Sequence, residues 1–413
     1  MSMRRLGLLI LVCFSAAFLG AVSREVWCCT TAVISGKATK DGRPLLWKNR
    51  DADDKNNQVV FCDDGKFSYI GIVNEGDAAG MEIWAGMNGA GFACMNAASY
   101  NLSKDDTKGE GRFIKLALQS CASVADFQAL LERTAISPRD VSANFGVIDA
   151  KGGAAYFEAG PKGYKRYDAN DPAAAPKGFL VRTNFSESGD AKKGIGFLRY
   201  GRAVSLIESL WKAGPLDAQS LLNRVARDTA NERINPTAGD KTAVNGAWAY
   251  TGDSICRWDT ASLFLAVGVK PGEDARLAHA WVIPGMPLAG AAVPVWPSAG
   301  VVPAELKVSK EPCALAASFK RIKAMLYPDS RGDLARYMDL RAYDGAAKPV
   351  LSGLFAEESS SFDDTSKAVE GWRKAFPGAE AVAEFQSKVA ARTEAATEAL
   401  LPNPNGKGLA TSH

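Results

Sequence analysis

Short apolar runs separated by Gly, Asp and Asn fill the chain between residues 29 and 97. Runs of this kind, rich in Val, Ile, Trp and Phe, are typical of β-strands joined by turns. They predict strands at 33–34, 45–47, 59–61, 69–73 and 81–84. Helical periodicity follows over 113–134, where Ser123 precedes Asp126 by three residues, the spacing of an N-cap.

The remaining elements come in blocks of one kind. Strand-like runs lie at 145–148, 154–158, 179–183, 247–251, 261–267 and 278–283, with helices at 200–211 and 216–227 between them. Pro and Gly cluster over 285–303, and beyond them the pattern is helical at 313–326, 334–340, 366–376 and 380–400. Blocks of strands and helices, without regular alternation, predict an α+β core with two sheets. We place this core at 29–300, a helical extension at 301–401 and a disordered tail at 402–413.

Composition narrows the class of protein. The 413 residues are 47% hydrophobic and 23% charged, which excludes a disordered, collagen-like or disulfide-miniprotein chain. The net charge of +3 gives no electrostatic footprint for nucleic acid or an anionic membrane, so we expect neither as a partner. Assembly with further copies of the chain stays open.

The N-terminus has the layout of a secretory signal. Residues 1–23 contain Arg4 and Arg5, an apolar stretch over 6–19 and small residues at 21–23. A membrane anchor is the alternative, but the stretch is shorter than the ~20 residues of a span. We expect a secreted or periplasmic protein from which residues 24–28 are removed as a short propeptide.

Missing residues eliminate most hydrolytic mechanisms. The chain has two histidines, His279 in an apolar predicted strand and the terminal His413. A buried core histidine is the expected role of His279, so a Ser-His-Asp triad lacks its base. No HExxH, Ser-x-x-Lys, Walker A or GxGxxG sequence occurs, and we therefore expect no metal or cofactor.

A residue at a newly exposed N-terminus can use its own α-amine as the base, which needs no histidine. Cys28 and Cys29 follow the expected signal cleavage by five and six residues and precede a strand. A structural disulfide is the alternative for these thiols, although seven cysteines after the signal leave at least one outside any disulfide.

Five short motifs then follow one another along the chain. They are Cys29-Thr30-Thr31-Ala32; Lys48-Asn49-Arg50-Asp51; Gly86-Met87-Asn88-Gly89-Ala90-Gly91-Phe92 followed by Asn96; Arg182-Thr183-Asn184; and Leu198-Arg199-Tyr200-Gly201-Arg202. Together they resemble the N-terminal-nucleophile hydrolases, nearest the branch of penicillin V acylase, bile salt hydrolase and the fungal acyl-CoA:6-aminopenicillanate acyltransferase. The resemblance covers about 29–290 and implies a four-layer αββα sandwich.

The resemblance also implies catalytic roles. Cys29 would attack an amide carbonyl as a thiolate, with its free amine as the base, and Asp51 would hold that amine. Asn184 and Asn96 would donate to the tetrahedral oxyanion. Arg199 would stabilise the thiolate and lower the pKa of the amine.

Substrate-binding positions are expected nearby. Lys48 stands three residues before Asp51, where the family often has an Arg. Trp84, Phe92 and Tyr100 flank the nucleophile segments and line an acyl pocket or, alternatively, belong to the core.

Hairpin geometry gives a further expectation. If the first two strands form a hairpin, Cys29 directly opposes Asp51 only when the loop spans five residues, 38–42.

The sequence therefore predicts an exported cysteine amidohydrolase that cleaves its own chain before Cys29. The mature enzyme would cleave a C–N amide of an N-acylated small molecule or small peptide through a thioester. Acyl transfer to an amine is a second hypothesis. A non-catalytic, disulfide-stapled binding protein is a third. The acyl group and the amine stay open among dipeptides, bile-salt conjugates, β-lactam side chains and acylated signals.

Overall fold

A computed structural model describes residues 28–103, 108–230, 247–308, 312–329 and 331–402. The predicted signal at 1–23 and nearly all of the predicted tail lie outside these ranges. Of the predicted propeptide, Cys28 alone lies inside them.

The predicted nucleophile begins the first strand of an antiparallel sheet in the order β10-β1-β2-β12-β13-β14. Its strands are β1 (Cys29–Ile34), β2 (Leu45–Asp51), β10 (Phe179–Arg182), β12 (Thr260–Val267), β13 (His279–Ile283) and β14 (Val293–Val295). Because neighbouring strands run antiparallel, the start of β1, the end of β2, the start of β12 and the end of β13 lie at the same end of the sheet.

A second sheet is a seven-stranded antiparallel meander in chain order. It contains β3 (Asn57–Cys62), β4 (Tyr69–Asn74), β5 (Ala85–Asn88), β6 (Ala93–Ala98), β7 (Ala143–Ile148), β8 (Ala154–Ala159) and β9 (Tyr164–Asp168). A short pair joins β11 (Trp248–Tyr250) to β15 (Tyr337–Asp339).

The two large sheets pack face to face. The Tyr156 hydroxyl of the second sheet donates to Thr31 Oγ1 of the first at 2.8 Å. The sheets lie so close at Gly146 that a Cβ there would be 2.9 Å from a methyl of Val33. A shared apolar core fills the interface between them.

Helices cover both outer faces. The second sheet is covered by α1 (Glu110–Ser120) and α2 (Val124–Thr134), which enclose their own apolar core. The first sheet is covered by α3 (Phe197–Ala213), the short α4 (Ala218–Leu221) with its π-turn (Leu222–Ala226), α5 (Ala314–Leu326), α6 (Leu340–Asp344), α7 (Ala347–Lys374) and α8 (Ala379–Leu400). The predicted α+β fold with four αββα layers is thereby confirmed. Within the described ranges, no helix combines the length and the apolarity that crossing a membrane requires.

Several predicted boundaries were wrong for identifiable reasons. The single helix expected over 113–134 is two, because the chain turns at 121–123 and Ser123 caps α2 by accepting from the Asp126 N–H at 3.1 Å. The strand expected at 81–84 is absent, and β5 begins at Ala85. At 81–82 the Asp77 carboxylate accepts hydrogen bonds from the backbone N–H groups of Met81 and Glu82, which holds residues 77–82 in a turn.

The C-terminal helices also differ from expectation. The helix expected at 366–376 belongs to the much longer α7, and the segment expected as a helix at 334–340 contains a 3₁₀ turn and β15. The buried side of α7 contains Glu358, Ser361 and Thr365 among its apolar residues, so its sequence shows little amphipathic contrast.

These helices are bound to the first sheet by both polar and apolar contacts. Phe362 of α7 stacks on Trp281 of β13 with ring centroids 3.7 Å apart. Both guanidinium Nη atoms of Arg227 donate to the Glu358 carboxylate, at 2.8 and 2.6 Å, and the Ala292 N–H donates to it at 2.7 Å. The extension therefore shares the core of the sandwich.

We expect Glu358→Ala to lower the free energy of unfolding by about 3–5 kcal/mol, since Arg227 would stay buried without its counter-ion. Chemical denaturation measures this change. Glu370→Ala, at an exposed position of the same helix, is the control and should change stability by less than about 0.5 kcal/mol. Two separate unfolding transitions, with Glu358→Ala affecting one alone, would contradict a shared core.

Candidate active site

Cys29, at the start of β1, is held in place by the neighbouring strand β10. The register of β1 and β10 pairs Thr31 with Arg182, and its continuation places Asn184 opposite Cys29. The backbone N–H of Cys29 donates to Asn184 Oδ1 at 2.9 Å, and Asn184 is fully buried. In the uncleaved chain, Asn184 therefore binds the nitrogen that cleavage would convert into an amine.

Arg199 connects the same atoms from the first turn of α3. Its Nη1 donates to the Cys29 carbonyl at 2.5 Å and to Thr30 Oγ1 at 3.0 Å, and its Nη2 donates to Asn184 Oδ1 at 2.8 Å. Gly196 precedes the helix at φ 86°, and a Cβ there would lie 2.5 Å from Arg199 Nη2. The guanidinium position thus requires glycine at 196.

The register between β1 and β2 differs from the prediction by one residue. Cys29 opposes Arg50, and Asp51 lies beyond it, donating its backbone N–H to the Cys28 carbonyl at 2.9 Å. The connection is ten residues long, not five, and contains a 3₁₀ turn, Gly36–Ala38. It is folded onto itself, because a Cβ at Gly36 would lie 2.3 Å from the Gly42 carbonyl oxygen.

The Asp51 carboxylate lies in a buried cluster of opposite charges. Thr260 Oγ1 donates to Asp51 Oδ1 at 2.7 Å, and Arg257 Nε lies 4.0 Å from Oδ2 while it pairs with Asp259 at 2.5 Å. Burial, reinforced by the negative charge of Asp259, raises the pKa of Asp51 to about 7, against the opposing effect of Arg257 and Arg199. Asp51 therefore holds its proton more tightly than an exposed aspartate does.

Two cations lie on the same face as the Cys29 side chain. Lys48 Nζ donates to the Trp84 carbonyl at 2.8 Å and to Asn96 Oδ1 at 2.7 Å. Burial lowers the pKa of Lys48 to about 8 and that of Arg50 to about 10, and a negative charge on Cys29 opposes both shifts. The strand register places both cations on this face, since Arg50 opposes Cys29 and Lys48 opposes Thr31.

The aromatic candidates separate into three environments. The Trp84 ring lies 4.6 Å from the guanidinium carbon of Arg50, and its backbone carbonyl accepts from Lys48 Nζ. Phe92 lies in the core between the second sheet and α1 and α2, so it takes the core role and does not line a pocket at Cys29. Tyr100 is exposed, and its backbone N–H donates to the Asn184 carbonyl at 3.2 Å.

The two asparagines expected as oxyanion donors have other partners in the uncleaved chain. Asn184 Nδ2 donates to the Ala98 carbonyl at 3.0 Å, while Asn96 Oδ1 accepts from Lys48. Donation by Asn184 and Asn96 to the oxyanion stays a prediction, and it concerns the cleaved chain.

Sequence reasoning missed Arg50, Arg257 and Thr260. Arg50 was detectable, because strand alternation places it on the same face as Lys48. Arg257 and Thr260 were not, since β12 is remote in the sequence and the register with β2 brings Thr260 opposite Asp51.

The other cysteines and His279 stay apart from this chemistry. Within the described ranges the structure contains no disulfide. His279 is buried, donates its Nδ1–H to the Leu277 carbonyl oxygen at 3.1 Å and stacks on Trp296. His279 begins β13 and therefore lies at the other end of the strands from Cys29.

Comparisons with known proteins relate part of the chain to acyl-group chemistry. The family model described as acyl-coenzyme A:6-aminopenicillanic acid acyl-transferase matches residues 38–197, which confirms the resemblance over a segment that includes Asp51, Asn96 and Asn184. No curated protein matches the chain.

Solved structures overlap with it at low scores. An N-acylethanolamine-hydrolyzing acid amidase ortholog of Caenorhabditis elegans is 16% identical, with a TM-score of 0.38, over 58% of this chain and 92% of its own. A mutant conjugated bile acid hydrolase from Clostridium perfringens is 13% identical, with a TM-score of 0.39, over 65% and 92%. Penicillin V acylase from Agrobacterium tumefaciens is 13% identical, with a TM-score of 0.37, over 65% and 86%. The sequence match over 38–197, and not these overlaps, carries the relationship.

The elevated pKa of Asp51 predicts a pH-dependent stability. Between about pH 4 and pH 7 the folded chain keeps the Asp51 proton that the unfolded chain releases, so the free energy of unfolding should fall by roughly 1.4 kcal/mol per pH unit relative to Asp51→Asn. Denaturation of the uncleaved Cys29→Ala protein, with and without Asp51→Asn, measures the difference across this range. Asp363→Asn in the same Cys29→Ala protein, at an exposed position, is the control. A stability of the Cys29→Ala protein, relative to its Asp51→Asn variant, that rises with pH would contradict the assigned shift.

Proposed function

We propose that this chain is an amidohydrolase whose nucleophile is the sulfur of Cys29, exposed as the N-terminus by cleavage of the Cys28–Cys29 bond. It hydrolyses a C–N amide of an N-acylated small molecule or small peptide through a thioester. The family match over 38–197 supports acyl-group chemistry on an amide.

The observation that carries the proposal is the set of contacts around one peptide bond. Asn184 accepts from the Cys29 nitrogen, Asp51 donates to the Cys28 oxygen, and Arg199 binds the Cys29 carbonyl. Both sides of the Cys28–Cys29 bond are thus held by residues from separate strands and a helix.

These contacts support self-cleavage. The Cys29 thiol gives up its proton as its sulfur attacks the Cys28 carbonyl carbon. The C–N bond then breaks and the nitrogen takes up a proton, which leaves a thioester on the sulfur and an amine on Cys29. The Asp51 N–H donates to the oxygen that becomes negative during the attack. Water then hydrolyses the thioester and releases the segment that ends in Cys28.

The same groups serve turnover in the cleaved chain. The positive charge of Arg199, which binds the same Oδ1 as the nitrogen, disfavours a second charge on the new amine and keeps it available as a base. Lys48 and Arg50 stabilise the sulfur anion that attacks the substrate. The amine returns its proton to the leaving nitrogen, and water resolves the acyl-enzyme.

Export precedes this chemistry in the proposal. The signal layout of 1–23 would direct the chain to the periplasm or the medium, and 24–28 would leave as the propeptide.

Acyl transfer to an amine is the second candidate function, because the matching family model is named for an acyl-transferase. The two differ only in the nucleophile that resolves the thioester.

Cleavage and activity should both depend on Cys29. Cys29→Ala removes the attacking sulfur, so intact mass spectrometry should find Cys28 still attached, and assays of amine release from a panel of N-acyl amides should detect none. Cys28→Ala is the matched control, since it keeps the Asp51 contact to the backbone carbonyl, and it should be cleaved and active. Wild-type protein that works with its chain starting before Cys29 would refute the proposal.

Hydrolysis and transfer should separate by product. Glycinamide is added to a reaction with an N-acyl amide that the protein hydrolyses. We expect the free acid to stay the main product, measured by mass spectrometry of the acyl species. Spontaneous aminolysis of the amide, measured with Cys29→Ala protein, is the background. Conversion mainly to the glycinamide adduct would assign the chain to acyl transfer.

A further inference from the structure

A cavity of about 450 Å³ lies at the other end of the first sheet from Cys29. The end of β12 and the start of β13 form one wall, and α7 forms another. Residues 40–43, before β2, and residues 217–219, at the start of α4, complete the lining. Since the eight residues of β12 span roughly 23 Å, a ligand in this cavity would be remote from the candidate active site.

One side of α7 faces β13 at this cavity. Phe362 on that side stacks on Trp281 of β13. Thr365 and Val369 follow Phe362 by three and seven residues, which is the spacing of a single helix face. On β13, His279 lies on the same face of the sheet as Trp281, because side chains alternate along a strand. Thr365 and His279 both line the cavity.

The Thr365 hydroxyl is buried without a partner from the protein. Thr365 is 3% exposed, and its Oγ1 makes no hydrogen bond within the described part of the chain. A buried hydroxyl that forms no hydrogen bond costs free energy. A ligand in the cavity would supply the missing partner.

His279 offers an acceptor to the same cavity. Its Nδ1–H donates to the Leu277 carbonyl oxygen, so the proton of a neutral ring is on Nδ1 and Nε2 has a free lone pair. Burial lowers the pKa of His279 to about 4, although the hydrogen bond to Leu277 acts in the opposite direction. The ring is therefore neutral at pH 7, and among the described residues none donates to Nε2.

The charges that line the cavity are balanced. The buried Arg43 guanidinium is paired with the carboxylates of Asp41 and Glu273. The other charged residues of the lining are two cations and two carboxylates, Lys40, Arg373, Asp217 and Asp363. The lining therefore favours neither an anion nor a cation.

We propose that this cavity binds an uncharged molecule rich in hydroxyl groups, the chemical class of the sugars. One hydroxyl donates to His279 Nε2, and another forms a hydrogen bond with Thr365 Oγ1. The C–H groups of the ligand pack on the apolar part of the lining, which includes Val267, Leu277 and Phe362. The volume lies in the range of about 300–1,000 Å³ that is usual for small-molecule sites. The inference goes beyond the proposed function and does not depend on it.

Binding is tested with the full-length Cys29→Ala protein, so that every sample has one covalent form. The probes are D-glucose, D-galactose, D-mannose and N-acetyl-D-glucosamine, followed by saturation-transfer NMR. D-glucuronate and D-glucosamine add a negative or a positive charge to a similar ring. At least one uncharged sugar should bind, and it should bind more tightly than either charged sugar.

Thr365→Val keeps the shape of the side chain and removes the hydroxyl. It should weaken sugar binding by about fivefold, the effect of one lost hydrogen bond. Its thermal midpoint without sugar should be equal to that of the parent protein or higher, because the hydroxyl has no partner there. Ser360→Ala, which removes an exposed hydroxyl of α7, is the matched control and should leave binding unchanged.

His279→Asn is the second variant. It keeps a donor for the Leu277 carbonyl and removes Nε2, so it should also weaken binding, and its thermal midpoint shows whether it is folded. Failure of all four uncharged sugars to bind would overturn the proposal. Binding of a charged sugar alone, or sugar binding unchanged in both folded variants, would overturn it too.

Discussion

One buried oxygen, Oδ1 of Asn184, accepts hydrogen bonds from both the Cys29 nitrogen and the Arg199 guanidinium. Both donors must approach it from different elements, so β1, β10 and the start of α3 have to be aligned to within a hydrogen-bond length. The register of β1 with β10 sets the first approach, and the absence of a side chain at Gly196 permits the second. Because all of these groups are removed from water, an error in any one would leave a polar atom unsatisfied in the core.

The sequence allowed the fold class and most strands to be predicted, because those features depend on local patterns. Ser123 capped its helix as expected. The predicted pairing of Cys29 with Asp51 was wrong by one residue, because long-range contacts that turn rules do not include shape the hairpin connection. Leu216, for instance, exchanges backbone hydrogen bonds with Ala38 and Lys40. The cluster of Asp51, Arg257 and Thr260 was unreachable for the same reason, because it depends on pairing across two hundred residues.

The C-terminal helices show how far amphipathic patterns can mislead. The buried side of α7 includes Glu358, which is 1% exposed, and it is held by an arginine and a backbone amide from the sandwich. A carboxylate at that place makes the helix look less apolar than its burial requires, and the predicted helix, 366–376, began 19 residues after the start of α7 at Ala347. The same polar contacts make the packing of α7 specific to one position, which apolar contacts alone would fix less sharply.

In the proposed self-cleavage, the hydrogen bond between the Asp51 N–H and the Cys28 carbonyl would have a second role. While the chain is whole, it is a hydrogen bond of the β-ladder. After cleavage, the Asp51 N–H would lose this acceptor and would be left to donate to the carbonyl of a substrate bound where the propeptide had been. The propeptide would thus serve as a template for the position of the substrate.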